Sequence, residues 1–164
     1  MKKQNFLNKI IKERKLEKVN PSEEICFSYL EKANNCLMSG KILLKNSLYE
    51  NSISMFYYTM YNSLIALLFK VGIKCENHSA SILLLKIIFN RDDLFDLISF
   101  AKKERIDKQY YFVSKKDFIS KDSALDMMKK SEGFLVQIKL FSDSLNLEKI
   151  KEIRVKFDSL IKNE

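Results

Sequence analysis

The chain has 164 residues, a net charge of +8, 46% apolar residues, three glycines and one proline. That length fits one domain around one core, and so few breakers among many Leu, Ile, Lys, Glu and Met point to an all-α fold. The charge admits nucleic acid or another anionic partner without requiring one, and a single histidine, His78, excludes a two-histidine zinc helix.

In chain order, residues 1–20 form a basic N-terminal segment, and residues 21–164 a helical bundle of one domain. Residues 1–18 carry seven lysines and arginines against two acids, and residues 3–18 suit a short basic helix. In "NPSEE", Asn20 fits the N-cap, Pro21 the first helical position and Glu23 the third residue after the cap. The helix it opens is expected to run to about Lys45. The next helix spans about Leu48 to Val71 and stops at Gly72, a good C-terminal cap residue. Its stretch "NSISMFYYTMYNSLIALLF", Asn51 to Phe69, carries no charge, and is nearly long enough to cross a bilayer. Its six serines, threonines and asparagines favour a buried central helix instead. Apolar residues surround it: one stripe is Ile53, Phe56, Met60, Leu64, Leu67 and Val71, the other Tyr57, Tyr61, Ile65 and Leu68. A helix apolar nearly all round is central to the fold or covered by a second subunit. A homodimer joined through Tyr57, Tyr61 and Ile65 is therefore expected.

"GIKCENHS" reads as a loop, with Asn77 or Ser79 capping a helix that reaches about Asn90. Asp92 and Asp93 supply the acids that favour the first turn of the following helix, which runs to about Phe112. "VSKKDFIS" reads as a loop. Helices over about Lys121–Phe141 and Leu147–Ile161 complete an antiparallel, up-and-down bundle of about five helices. Cys26, Cys36 and Cys75 are odd in number and lack metal-ligand spacing, so they read as reduced thiols of a cytoplasmic protein.

Residues 101–116 hold the second basic segment, six cations against two acids. The core stripe Leu94, Ile98 and Ala101, continued by helical steps, meets Arg105, then Gln109 or Lys108, then Phe112. Arg105 therefore falls on the buried or groove-facing line, where a charge must be paired or face a cleft. One reading is a structural ion pair with Glu50 or Glu76. The other is a phosphate site: Arg105, Lys102, Lys108, Gln109, Tyr110 and Tyr111 would supply a guanidinium fork, positive potential and rings on which bases stack. No Gly-rich phosphate loop, dinucleotide fingerprint or paired-carboxylate helix face is present, so no cofactor and no metal are expected.

Several stretches together resemble the HEPN domain, in particular small prokaryotic members with an Arg-x-x-x-Asp-Tyr motif. "SISMFYYTMYNSLIALLFKVG", Ser52 to Gly72, resembles the family's aromatic central helix. "CENHS" resembles the loop after it, with His78 at a matching position. "RIDKQY" carries the Arg and the Tyr of the motif as Arg105 and Tyr110, and "SEGFLVQI" resembles the closing helix. The match covers roughly residues 22–141. The resemblance implies an up-and-down bundle, often dimeric, with the motif helices meeting at the dimer cleft. It also implies partnership with a minimal nucleotidyltransferase in a two-component, toxin–antitoxin-like system, with RNA or nucleotide as ligand. Catalytic members are metal-independent ribonucleases in which the Arg is followed by four to six residues and then a His. Here those positions hold Tyr110, Tyr111 and Phe112, and Gln109 stands for the motif Asp. A tyrosine is a poor base at neutral pH. The resemblance thus implies a binding and regulatory protein, or alternatively a ribonuclease toxin in which Arg105 holds phosphate and Tyr110 or His78 moves protons. A helical adaptor that binds an anionic partner through its basic N-terminus is a third reading.

Overall fold

The computed structural model describes the backbone of residues 2–110 and 120–162, and the side chains of residues 5–106 and 120–161. Helix α1 (Lys2–Lys12) buries Leu7 and Ile10 in the common core. The chain turns at Arg14, φ 55, into a short strand, β1 (Leu16–Lys18). Helix α2 (Glu23–Lys45) follows, and its N-cap is Ser22 rather than Asn20: the Ser22 hydroxyl accepts from the Ile25 N–H at 3.2 Å. Asn20 and Pro21 lie before the cap because Val19 is committed elsewhere, its N–H donating to the Gly72 carbonyl at 2.9 Å.

Helix α3 (Tyr49–Lys70) is the centre of the molecule. Phe56, Tyr57, Met60, Leu64, Leu67 and Leu68 are fully buried on it. Its polar residues do not prevent this, because they are satisfied within the helix. Ser52 donates to the Tyr49 carbonyl, Thr59 to Met55, Asn62 to Tyr58 and Ser63 to Met60, at 2.6–3.0 Å. Such back-bonding lets a hydroxyl or amide enter a dry core without an orphaned donor. The helix ends at Gly72, whose φ of +76 is the left-handed conformation that glycine adopts without steric cost.

The stretch after Gly72, read from the sequence as loop, contains a strand. Strand β2 (Ile73–Cys75) pairs antiparallel with β1, Leu16 opposite Cys75 and Lys18 opposite Ile73. Three residues are too few to show a period of two, and the partner is more than fifty residues away in the chain. Helix α4 (His78–Ile87) starts under an Asn77 cap, which accepts from the Ala80 N–H at 3.0 Å. Helix α5 (Asp92–Tyr110) and helix α6 (Lys121–Asp143) pack on α3, as α2 does, so α3 is enclosed by α2, α5 and α6. The all-α bundle expected from composition is therefore present, and the described residues form seven helices rather than about five, with one minimal strand pair. Among the described residues no helix is long and apolar enough to cross a membrane.

Helix α7 (Leu147–Lys162) docks against the segment between β1 and α2 and the end of α3. Phe157 is fully buried, and Arg154 Nη1 donates to the carbonyls of Val19 and Val71 at 2.9 Å and of Gly72 at 3.2 Å. One guanidinium thus joins the C-terminus of α3 to the segment leading into α2, taking up the Val71 carbonyl that the helix end leaves free.

Candidate functional site

Arg105 lies on α5, and the stripe argument holds for it: Leu94, Ile98 and Ala101 are buried, and Arg105 is half-buried one turn on. Its guanidinium faces α3. Nη1 donates to the Tyr58 hydroxyl at 3.1 Å, and the guanidinium carbon stands 5.1 Å from the ring centre of Tyr57 and 5.4 Å from that of Tyr58. Both distances lie in the range where a cation is attracted by the face of an aromatic ring. Glu76, one expected ion-pair partner, is instead bound to Lys74 at 2.8 Å.

The tyrosine pair of α3 also engages the single histidine. His78 is the first residue of α4, and the loop through β2 folds it back against α3. Its ring stacks on Tyr61 at 3.7 Å between centroids and 15° between planes. Tyr57 and Tyr61, one helical turn apart, are themselves stacked at 6.2 Å. The Tyr57 hydroxyl is 2.7 Å from His78 Nδ1. Lys102, one turn before Arg105, completes the group: Nζ donates to the Ser79 hydroxyl at 2.5 Å, next to His78. Arg105 and Lys102 from α5 and His78 from the start of α4 thus converge on the aromatic ladder Tyr57, Tyr58 and Tyr61.

The direction of the Tyr57–His78 hydrogen bond follows from burial. Tyr57 has no exposed surface, and burial drives its pKa far above the usual value for a phenol, so the hydroxyl keeps its proton. His78 Nδ1 is its hydrogen-bond partner among the described residues, and a buried O–H without an acceptor is costly. Tyr57 therefore donates and Nδ1 accepts. A neutral imidazole with an acceptor Nδ1 carries its proton on Nε2. His78 is kept neutral first by burial and then by the positive charges of Lys102 and Arg105, which together hold its pKa below 6.5. Lys102 is lowered in turn, by burial and by Arg105. Burial pushes the Tyr61 hydroxyl up to about 12. Among the described residues the group therefore presents hydrogen-bond donors, two of them cationic, around an imidazole held in its neutral form.

Of the residues expected at the site, Arg105, Lys102 and His78 are brought together. The side chains of Lys108, Gln109 and Tyr110, and all of Tyr111, lie outside the described residues. Tyr57 and Ile65, expected at a dimer interface, are buried within one chain, 0% and 5% exposed, while Tyr61 is half-buried against His78. Tyr58 has no role in the sequence reading and Ser79 only that of a possible helix cap, although they hold Arg105 and Lys102. The readable signal was the adjacent Tyr-Tyr pair: on a helix, neighbours 100° apart reach two different partners.

Comparison with known proteins bears on the same elements. The profile of the HEPN domain matches residues 28–140, from α2 into α6 and including every residue of the cluster. A UPF0332 protein of Thermotoga maritima is 28% identical over 139 residues, a match that covers 76% of this chain and 97% of that protein. The enclosed aromatic helix, the motif arginine beside it and a family profile that spans well over half of the chain lead to one conclusion: the chain belongs to the HEPN domain family.

Proposed function

We propose that this chain is a HEPN-type binding and regulatory module that holds a phosphate of RNA or a nucleotide at Arg105, and that it acts as the partner of a minimal nucleotidyltransferase in a two-component system. The observation that carries the binding reading is the donor set around Arg105. The guanidinium is fixed against Tyr57 and Tyr58, Lys102 stands one turn away, and His78 offers an Nε2–H. Oriented donors and cations at a half-buried position suit an anionic oxygen, for which charge-assisted hydrogen bonds are strongest. Bound phosphate would offset the repulsion between Lys102 and Arg105. The pairing with a nucleotidyltransferase rests on the family resemblance alone.

The ribonuclease reading has one observation in its favour, the presence of His78 within the same cluster. The Tyr57 hydrogen bond opposes it. Cleavage through the 2′-hydroxyl needs a group that accepts a proton, and Nε2 already bears one. The opposite tautomer would deprive the buried Tyr57 hydroxyl of its acceptor, at a cost of roughly 1–3 kcal/mol.

Fluorescence anisotropy with a labelled oligoribonucleotide tests the proposal, with the RNA run on a denaturing gel after each titration. The full chain is expected to bind and leave the RNA intact, and Arg105→Ala to weaken binding by about tenfold or more. Binding indifferent to Arg105→Ala would refute the site. RNA cut by the wild type but not by His78→Ala would replace the binding reading with the nuclease one. Co-purification with a nucleotidyltransferase encoded next to this chain tests the pairing separately.

A further inference from the structure

The segment "KLEKV", Lys15 to Val19, lies before residue 28, where the family profile begins. A strand pair this short is not stable by itself and needs a packed face. Here the face is supplied by Leu16, 2% exposed, and by Leu7 and Ile10 of α1, which join the same core. These anchors lay β1 along β2. The Glu76 N–H donates to the Lys15 carbonyl at 2.8 Å, and the Val19 N–H to the Gly72 carbonyl at 2.9 Å. Hydrogen-bonded pairs alternate along an antiparallel ladder, so Glu17 and Lys74, midway between those two, form a bonded pair as well. Arg154 closes the far end of the ladder on the carbonyls of Val19 and Gly72.

The near end of the ladder stops one residue short of His78. Only Asn77 lies between Glu76, bonded to Lys15, and the histidine, and two residues span at most about 7 Å. Asn77 is also the cap of α4. Its backbone carbonyl accepts from the Ser81 N–H at 2.8 Å and from the Ser81 hydroxyl at 3.0 Å. Strand pair and cap thus fix one short turn from its two sides. On the helix side the buried residues begin at Ala80, so the grip of the core on α4 starts two residues beyond His78. The seat of the imidazole tolerates little movement, with its ring 3.7 Å from that of Tyr61 and Nδ1 2.7 Å from the Tyr57 hydroxyl, because a hydrogen bond weakens steeply as it lengthens and bends.

We propose that β1 positions His78: by holding β2 and Glu76, the N-terminal segment sets the imidazole against Tyr61 with Nδ1 at the Tyr57 hydroxyl. Lys15, Leu16 and Glu17 are positioning residues that act on the imidazole through the backbone of β2. The basic segment then serves the site by where it lies rather than by its charge. The consequence for RNA rests on the phosphate reading of the cluster; the position of His78 does not.

The imidazole nitrogen spectrum of the full chain tests the proposal, since the chain has one histidine. Glu17→Pro removes a ladder donor at a partly exposed position and bars the strand while leaving the core side chains in place. Leu16→Ala keeps every backbone donor, loosens the same strand from the core, and serves where the proline variant fails to fold. In both, the helical spectrum is expected to persist, the ring-current shift from Tyr61 to shrink, and both imidazole tautomers to appear. RNA affinity is expected to fall about fivefold, the equivalent of one hydrogen bond. Reversing two exposed cations of α1 together, Lys9→Glu with Lys12→Glu, is expected to leave the imidazole spectrum native. A native imidazole spectrum in Glu17→Pro or in Leu16→Ala overturns the proposal. So does a charge reversal on α1 that disturbs the spectrum as much as the proline does. If the native chain binds no RNA, the phosphate reading falls, and the spectral comparison still decides what positions His78.

Discussion

Replacement of Tyr57 by Phe removes one oxygen from the middle of the cluster and tests the hydrogen-bond direction on which its chemistry depends. The oxygen is fully buried and 2.7 Å from His78 Nδ1. A net hydrogen bond of this kind is worth about 1 kcal/mol, so stability should fall by about that amount and the melting midpoint by about 2–4 °C. The more telling readout is His78 itself. The chain has one histidine, so a nitrogen-15 imidazole spectrum has a single set of signals to follow. In the wild type it is expected to be neutral at pH 7 with the proton on Nε2, and to titrate below 6.5. In Tyr57→Phe the neutral form loses the donor that stabilises it. The titration should then move up towards 6.5, and the two tautomers should mix. A wild-type histidine protonated on Nδ1, or a spectrum unchanged by the substitution, would refute the reasoning and reopen a base at Nε2.

Two further outcomes follow from the same structure. Because the folded pKa of His78 is depressed, the unfolded chain binds the proton first as pH falls. The stability linked to this group is therefore fully present above 6.5 and lost as pH drops through the folded value. Denaturant melts from pH 7.5 to 5 should show a steeper acid loss for the wild type than for His78→Gln. Gly72→Ala would place a Cβ against Arg154 Nη1 and 2.5 Å from the Val19 carbonyl oxygen, on a backbone at φ +76. Steric and conformational costs together predict a loss of at least about 1–2 kcal/mol, measured by thermal or urea denaturation.

Much of this architecture is local and therefore legible in the chain. The boundaries of α3 follow from an uncharged apolar stretch and the glycine that ends it, and α5 begins at the acids Asp92 and Asp93, as read. The cap of α2 was misplaced by two residues, because both Asn20 and Ser22 are good caps and only the docking of Val19 on Gly72 chooses between them. Helix α3 was rightly read as apolar all round, but that pattern alone does not tell cover by neighbouring helices from cover by a second copy.

The fold class, the central helix and the inward position of Arg105 are legible in the order of residues, because helical periodicity and glycine conformations act over a few residues. What Arg105 meets depends on how the folded chain packs. That packing set the guanidinium against the Tyr58 hydroxyl, folded His78 onto Tyr61, and made Tyr57 the donor that fixes the histidine's proton. These contacts join residues about twenty to nearly fifty positions apart, and their chemistry depends on burial, which a residue acquires only when the rest of the chain has packed around it.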